Sequence, residues 1–313
     1  LAEKRGSEPV VLCLLKDGRE HLDCFLRHHR EQGAESFVFL DNGSTDGTLQ
    51  RLSKESNVTV LQSYLPYKVY KWAFKQYLVR RFAKAKWSLY LDIDECFDFP
   101  HSDKIGLSGL TAYLDSRGSN GMFAQMLDLF PRDSLFLQDS GVGCSPEDLL
   151  SGGYYDIHSI VKKEHHISET SFIGTKTSDY WGGIFGKAFG ATGMYLTKMP
   201  LIKWEKPMRP HVTSHFSVPV QAADVTGVLL HLRFTKGFMQ RIQQIVQEGS
   251  YWGGSQFYAQ CVNTFRESPD LSLYSSEARR WRGPSNLVDE EFLQCGENFD
   301  QYVQKMNHVR HTY

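Results

Sequence analysis

The chain has 313 residues, and at ~150 residues per domain that length holds one large domain or two small ones. Lys plus Arg number 35 against 36 Asp plus Glu, a formal charge of −1 that removes the case for a dedicated nucleic-acid binder, which needs a net basic surface. Apolar residues at 41% exclude global disorder, and the longest apolar run, Val10 to Leu15, spans six residues where a membrane-crossing helix needs ~20.

The first third alternates strand and helix signals. Val10 to Leu15 reads as a strand buried on both faces. Leu22, Phe25, Leu26 and His29 recur at i, i+3, i+4 and i+7, one face of a helix. Gly33 stands where that helix needs its C-terminal cap. Ser36 to Leu40 is the second strand. Asp41 to Gly47 is a polar loop, and Thr45 or Asp46 caps a helix reaching about Ser56. Val58 to Leu61 is the third strand. Phe74, Tyr77, Leu78 and Phe82 mark another helix. Trp87 to Leu91 is the fourth strand and runs into Asp92-Ile93-Asp94-Glu95. Strands spaced this way, with helices between, predict right-handed βαβ units and a parallel sheet. Open sheets of this kind bind ligands beyond the carboxyl ends of their strands. Lys16-Asp17, Asp41-Asn42 and Asp92-Ile93-Asp94 all lie at such ends.

The middle, 128–200, is rich in Gly, Ser and Tyr and reads as irregular loops and short strands over the sheet's rim. Regular signals return at Pro200 to Trp204 and at Val228 to Phe234, a strand carrying His231. Phe238, Ile242, Ile245 and Val246 give a helix, a further helical stretch covers about 255–266, and the tail from 285 is helical. No internal repeat is visible.

The cysteines, Cys13, Cys24, Cys96, Cys144, Cys261 and Cys295, form no C-x-x-C pair and read as free thiols in a reducing, cytoplasmic setting. Sequons stand at Asn42 and Asn57. A glycan on Asn42 would block the polar loop, which favours a compartment without glycosylation. No signal peptide is read, although the start at Leu1 rather than Met leaves an upstream segment open.

Asp92-Ile93-Asp94 places two carboxylates where the chain leaves the sheet, so both can turn toward one hard divalent cation. The bland alternative is a pair of ordinary acidic strand ends. Asp41 to Thr48 fails as a calcium loop, because the sixth and twelfth positions hold Asp46 and Leu52 rather than Gly and Glu. It fits a strand-to-helix turn whose first Asp accepts from a base or ribose, or merely a capped turn.

L-D-N-G-S-T-D-G-T after the second strand and L-D-I-D-E after W-S-L-Y resemble the family-2 glycosyltransferases. Cys13 to Phe99, with R-H-H-R-E-Q-G-A between, is similar to the branch of that family carrying D-x-D-E. L-L-H-L-R-F-T-K-G-F followed by G-S-Y-W-G-G-S-Q-F-Y is similar to the end of that branch's catalytic domain. The resemblance implies a GT-A-like fold: a Rossmann-like, mostly parallel sheet flanked by helices, here with a C-terminal helical extension. The implied division is a catalytic domain over 1–266, with a nucleotide-binding half at 1–127 and an acceptor-side irregular region at 128–234, then an extension at 267–313.

The implied activity is inverting transfer of a sugar from a nucleotide-sugar, uridine-linked, to a hydroxyl of a glycan or lipid-linked acceptor. Asp41 would contact the nucleoside, with Lys16, Asp17 and Asp92 also on the nucleotide. Asp92, Asp94 and His231 would hold Mn²⁺ or Mg²⁺. Lys16-Asp17-Gly18 departs from the branch's usual Lys-Asn-Glu. His231 as a plain core histidine is the competing reading. The base that takes the acceptor's proton is expected at Asp156 or Glu95, with Asp128, Asp148 and Glu164 also available. Trp181, Tyr251 and Trp252 are candidates for stacking on sugar rings. His29 is read as helix packing. The adjacent pairs His28-His29 and His165-His166 are not expected to ligate together. Peripheral membrane association is allowed. A nucleotidyltransferase, or a nucleotide-sugar-binding protein without catalysis, are the alternatives.

Overall fold

The computed structural model describes residues 8–135, 143–174, 176–190, 193–210, 215–249, 256–268 and 270–310. Its opening elements are β1 (Val10–Leu15), α1 (Arg19–Glu31), β2 (Phe37–Asp41), α2 (Thr48–Leu52), β3 (Val58–Gln62), α3 (Tyr67–Phe82) and β4 (Trp87–Leu91). A tight turn leads to β5 (Glu95–Asp98), then α4 (Ser102–Ser116) and β6 (Gly121–Asp128). The irregular middle contains α5 (Pro146–Gly152), β7 (Tyr154–Tyr155), β8 (Ile160–Glu164), β9 (Thr170–Phe172), β10 (Ser178–Gly182) and α6 (Gly183–Phe189). The sheet resumes with β11 (Thr197–Lys203), and β12 (Arg209–Pro210), β13 (Ser217–Val218), β14 (Val220–Ala222) and β15 (Gly227–His231) follow. The remainder is α7 (Phe238–Glu248), α8 (Gln256–Glu267), β16 (Arg279–Arg280), α9 (Pro284–Asp289) and α10 (Glu297–Arg310).

β1 pairs in parallel with β2 and β4, and β2 with β3, giving the order β3-β2-β1-β4. That order reverses direction between β1 and β4, the switch point where open α/β sheets bind ligands. β11 then runs antiparallel between β4 and β6, so the sheet is mixed rather than wholly parallel. β15 lies beside β6 in parallel and beside β5 in antiparallel.

Alternation along β1 explains the layers. Val11, Cys13 and Leu15 pack with Leu22, Phe25 and Leu26 of α1 on one face. Leu12 and Leu14 pack with Phe74 and Leu78 of α3 on the other. Each such side chain contributes roughly 1.5–3 kcal/mol by leaving water. His29 belongs to this packing: it is buried, its Nδ1 is 2.8 Å from the Phe25 carbonyl, and its Nε2 accepts from the Phe97 amide.

The tail is built into the core rather than appended to it. Phe299 of α10 packs its ring 4.9 Å from that of Tyr113 on α4. β16 pairs with β7, and Cys295 bridges Val225. All six cysteines are free thiols. Among the described residues, no helix is long and apolar enough to cross a membrane.

Candidate active site

Asp92, Ile93 and Asp94 form the turn between β4 and β5, and the turn sends the two carboxylates to different neighbours. Asp92 Oδ2 lies 2.9 Å from the Lys198 ammonium on β11, which also bridges to Glu95. Asp94 Oδ2 lies 3.0 Å from His231 Nε2 at the end of β15. Strand register dictates the second contact. His231 stands opposite Glu95 across β5 and opposite Asp128 across β6. β15 approaches β5 closely because Gly227 has no side chain; a Cβ there would fall 2.6 Å from the Phe97 ring. On the other side of the imidazole, Nδ1 is 3.0 Å from Asp128 Oδ1, and Arg233 Nε is 2.9 Å from the same oxygen.

Asp94, His231, Asp128 and Arg233 form one cluster, in which Arg233 Nε also lies 3.0 Å from His231 Nδ1. Burial and Arg233 oppose protonation of His231, but Asp94 and Asp128 outweigh them and raise its pKa to about 9. Burial works against ionising Asp94, yet His231 holds its carboxyl well below the usual carboxylate range. Asp128 is lowered as well, with burial overcome by Arg233 and His231. Glu95 is raised by its burial despite Lys198. Lys198 stays charged: Asp92 and Glu95 outweigh the cost of burying it.

Asp94 and His231 share a hydrogen bond at 3.0 Å, and a divalent cation would stand between them only by displacing its proton. Two neighbouring ligands of an octahedral ion with ~2.1 Å bonds stand about 3.0 Å apart, which is the separation found here. A mixed carboxylate and imidazole pair suits Mn²⁺ better than Mg²⁺, which takes oxygen ligands. Asp92 is half-exposed and turned to Lys198, so the three expected ligands are not gathered in advance. Among the described residues, three potential ligand atoms within 4.8 Å of one another occur only at His101, Cys295 and Asp300, a half-buried cluster elsewhere.

Beside Asp92 lies a cleft of about 180 Å³ at the switch point. Leu14, Tyr90 and Glu95 form its floor, Tyr67, Lys71, Trp72 and Lys75 of α3 one wall, and Lys198 and His215 the other. Lys75 lies over the Tyr90 ring at 4.7 Å, and burial with the nearby Lys198 charge lowers its pKa to about 8. Three ammonium groups, offset in part by the Asp92 and Glu95 carboxylates paired with Lys198, and three aromatic rings surround one small cleft.

Several expected residues take other roles. Asp41 is fully buried, and its oxygens accept the amides of Gly43 and Ser44 at 3.1 Å each. It folds its own loop instead of facing a nucleoside. Asp41→Ala is therefore expected to lower stability by about 1–3 kcal/mol, read as a urea midpoint shift; an unmoved midpoint would refute that role. Asp17 Oδ1 accepts the Thr45 amide at 2.7 Å, stitching the first rim loop to the second. Lys16 reaches Glu248 at 3.7 Å and does not line the cleft. Asp156, the expected base, is buried and paired with Lys187 at 3.2 Å, so it has no free face for a hydroxyl. Glu95 is closed off in the same way by Lys198 and the Asp92 amide. Asp148 caps α5, and Glu164 is an exposed partner of Lys176.

Asn42 donates to the carbonyls of Ser63 and Leu65 at 2.8 and 3.0 Å, so a glycan on its amide would cost one of these bonds. Trp181 packs on Tyr195, with ring centres 4.7 Å apart. Tyr251 and Trp252 lie outside the described residues.

His165 and His166 converge on one carboxylate rather than on a metal site. Both follow the end of β8, where the chain turns, and both Nδ1 atoms reach the fully buried Asp179. Tyr195 donates to the same carboxylate at 2.5 Å. Lys198 and Asp128 are the site residues missed by sequence reading. Lys198 sits in the weakly patterned stretch before Pro200. Asp128 was weighed only as a base, and its place opposite His231 depends on sheet register.

No family model and no curated protein matches the chain. Among solved structures, the crystal structure of a 4-diphosphocytidyl-2C-methyl-D-erythritol synthase is similar at a TM-score of 0.28 and 9% identity, over 91% of this chain and 99% of that one. A likeness so distant decides neither the fold family nor the activity.

Proposed function

We propose that this chain is a GT-A-like, metal-dependent glycosyltransferase that moves a sugar from a uridine-linked donor to a hydroxyl of a glycan or lipid-linked acceptor. One observation carries the reading: the Asp94–His231 pair, 3.0 Å apart, stands at the same switch-point rim as the lysine- and aromatic-lined cleft. In this reading the rings of Tyr67 and Trp72 hold the base, and Lys71, Lys75 and Lys198 face the diphosphate. Asp94 and His231 hold the cation, and Asp92 joins them by turning from Lys198. The cation, when bound, offsets the charge that grows on the diphosphate leaving group.

The same three ammonium groups suit a nucleoside triphosphate, which supports nucleotidyl transfer as the second reading. One assay separates the two. The purified chain is incubated with Mn²⁺ and a panel of nucleotide-sugars, and separately with nucleoside triphosphates. Slow release of free sugar and nucleoside diphosphate supports glycosyl transfer. Release of pyrophosphate from a triphosphate, with nucleotide-sugars untouched, overturns it. Metal binding has its own test. Asp94→Asn is expected to weaken Mn²⁺ binding at least about tenfold in calorimetry, because an amide brings no charge to the ion. Undiminished Mn²⁺ affinity in that variant would remove Asp94 from the ligand set.

A further inference from the structure

We infer that the outer face of α3, with the loop before it, docks on an anionic lipid surface. Between Glu55 and Asp92 the sequence holds no acidic residue but seven basic ones, of which Lys71 and Lys75 face the cleft and Lys68, Arg80, Arg81, Lys84 and Lys86 are exposed. The whole chain is near neutral, so this concentration is local. The same stretch carries six of the eight exposed large apolar side chains among the described residues: Tyr64, Leu65, Tyr67, Val69, Tyr70 and Tyr77. Tyr64 is 80% exposed and Val69 68%.

Helix geometry arranges them. Phe74, Leu78 and Val79 are the buried side of α3. Val69, Ala73 and Tyr77 follow at four-residue spacing on the opposite side, with Tyr70 beside them and Arg80 and Arg81 at the end. A contiguous exposed apolar patch marks an interaction surface. Tyrosines with basic residues and no acids fit the headgroup layer, where aromatic rings sit half-wet and Lys or Arg meet anionic lipids. A protein partner would need a matching acidic, apolar groove; an anionic bilayer supplies both properties over any area. Lys71, Trp72 and Lys75 line the cleft from the inner side of the same helix, so docking would bring the cleft to the headgroups. Docking requires nothing of the chemistry in the cleft, so a chain that transfers no sugar would still bind.

The test is co-sedimentation of the full chain with vesicles of phosphatidylcholine, with and without phosphatidylglycerol. Binding is expected only to the anionic vesicles and is expected to weaken as salt rises. Each basic residue near an anionic surface adds about fivefold to partition, so Arg80→Gln with Arg81→Gln is expected to lower it about 25-fold. Val69→Ser with Tyr77→Ser is expected to abolish binding at moderate salt. These positions are exposed, so thermal midpoints are expected to stay in place, which separates lost docking from lost fold. Equal binding to neutral vesicles, or no response to either pair of variants, overturns the inference. So does a dimer in sedimentation velocity that Val69→Ser with Tyr77→Ser converts to monomer, since the face would then belong to a second copy.

Discussion

Lys198→Met is expected to leave a folded chain that is less stable by about 3 kcal/mol and has lost most of its affinity for a nucleoside diphosphate. Lys198 neutralises Glu95, which is 1% exposed, and also holds Asp92. Taking away one member of a buried ion pair costs about 3–5 kcal/mol, because the survivor is left charged without a partner. Glu95 escapes part of that cost by taking a proton, toward which its burial already inclines it. The affinity loss has a separate cause, the missing ammonium on the cleft wall. A cycle with Glu95→Gln separates the two. Lys198→Met/Glu95→Gln is expected to regain most of the stability, since neither charge remains, without regaining nucleotide binding. Urea midpoints and isothermal titration with uridine diphosphate read both quantities. A double variant no more stable than Lys198→Met would show that the two residues are not coupled.

Asp179→Asn is expected to destabilise the chain by about 3 kcal/mol and to flatten its response to acid. Asp179 is fully buried and serves His165, His166 and Tyr195 at once. Burial favours its neutral form, but the hydrogen bonds from His165, Tyr195 and His166 outweigh burial and hold its pKa at about 2. An unfolded aspartate titrates near ~3.9. The folded state therefore binds fewer protons than the unfolded state between those values. Stability from this group is complete above the unfolded pKa and is lost as pH falls toward 2. Denaturation midpoints taken from pH 5 downward are expected to fall more steeply for the parent chain than for Asp179→Asn. Parallel curves would remove Asp179 from the acid response, and a loss below ~1 kcal/mol at neutral pH would contradict its place as a buried hub.

Sequence patterning reveals β1 through β4 because each of those strands is a short apolar run bounded by polar turns. The β4–β5 turn with its two aspartates, and His231 on a late strand, were legible on the same grounds. Other parts were hidden for identifiable reasons. β6 is buried along its whole length, so it shows no alternation, and Gln125 interrupts its apolar run. That glutamine is satisfied by Thr197 on β11 at 2.7 Å, a partner known only once the strands are side by side. α4 is broken at Gly106, whose φ of 62° lies outside the helical range, so its periodicity does not carry through. Asp41 shows the opposite failure. Its motif was visible, but whether a carboxylate faces a ligand or its own loop depends on where the Gly43 and Ser44 amides point.

The insertion of β15 between β5 and β6 has a consequence for biosynthesis. Domains fold as units while the chain emerges from its amino end. Asp94, Glu95 and Asp128 are made long before Lys198 and His231, and 137 positions separate Asp94 from His231. Until those late residues arrive, Glu95 and Asp128, both buried in the finished fold, lack the side-chain cations that face them, and burying them charged would be costly. In the nascent amino-terminal half those two carboxylates must take a proton or stay in water until the late strands arrive. A chain released before residue 198 carries the full aspartate motif and neither Lys198 nor His231.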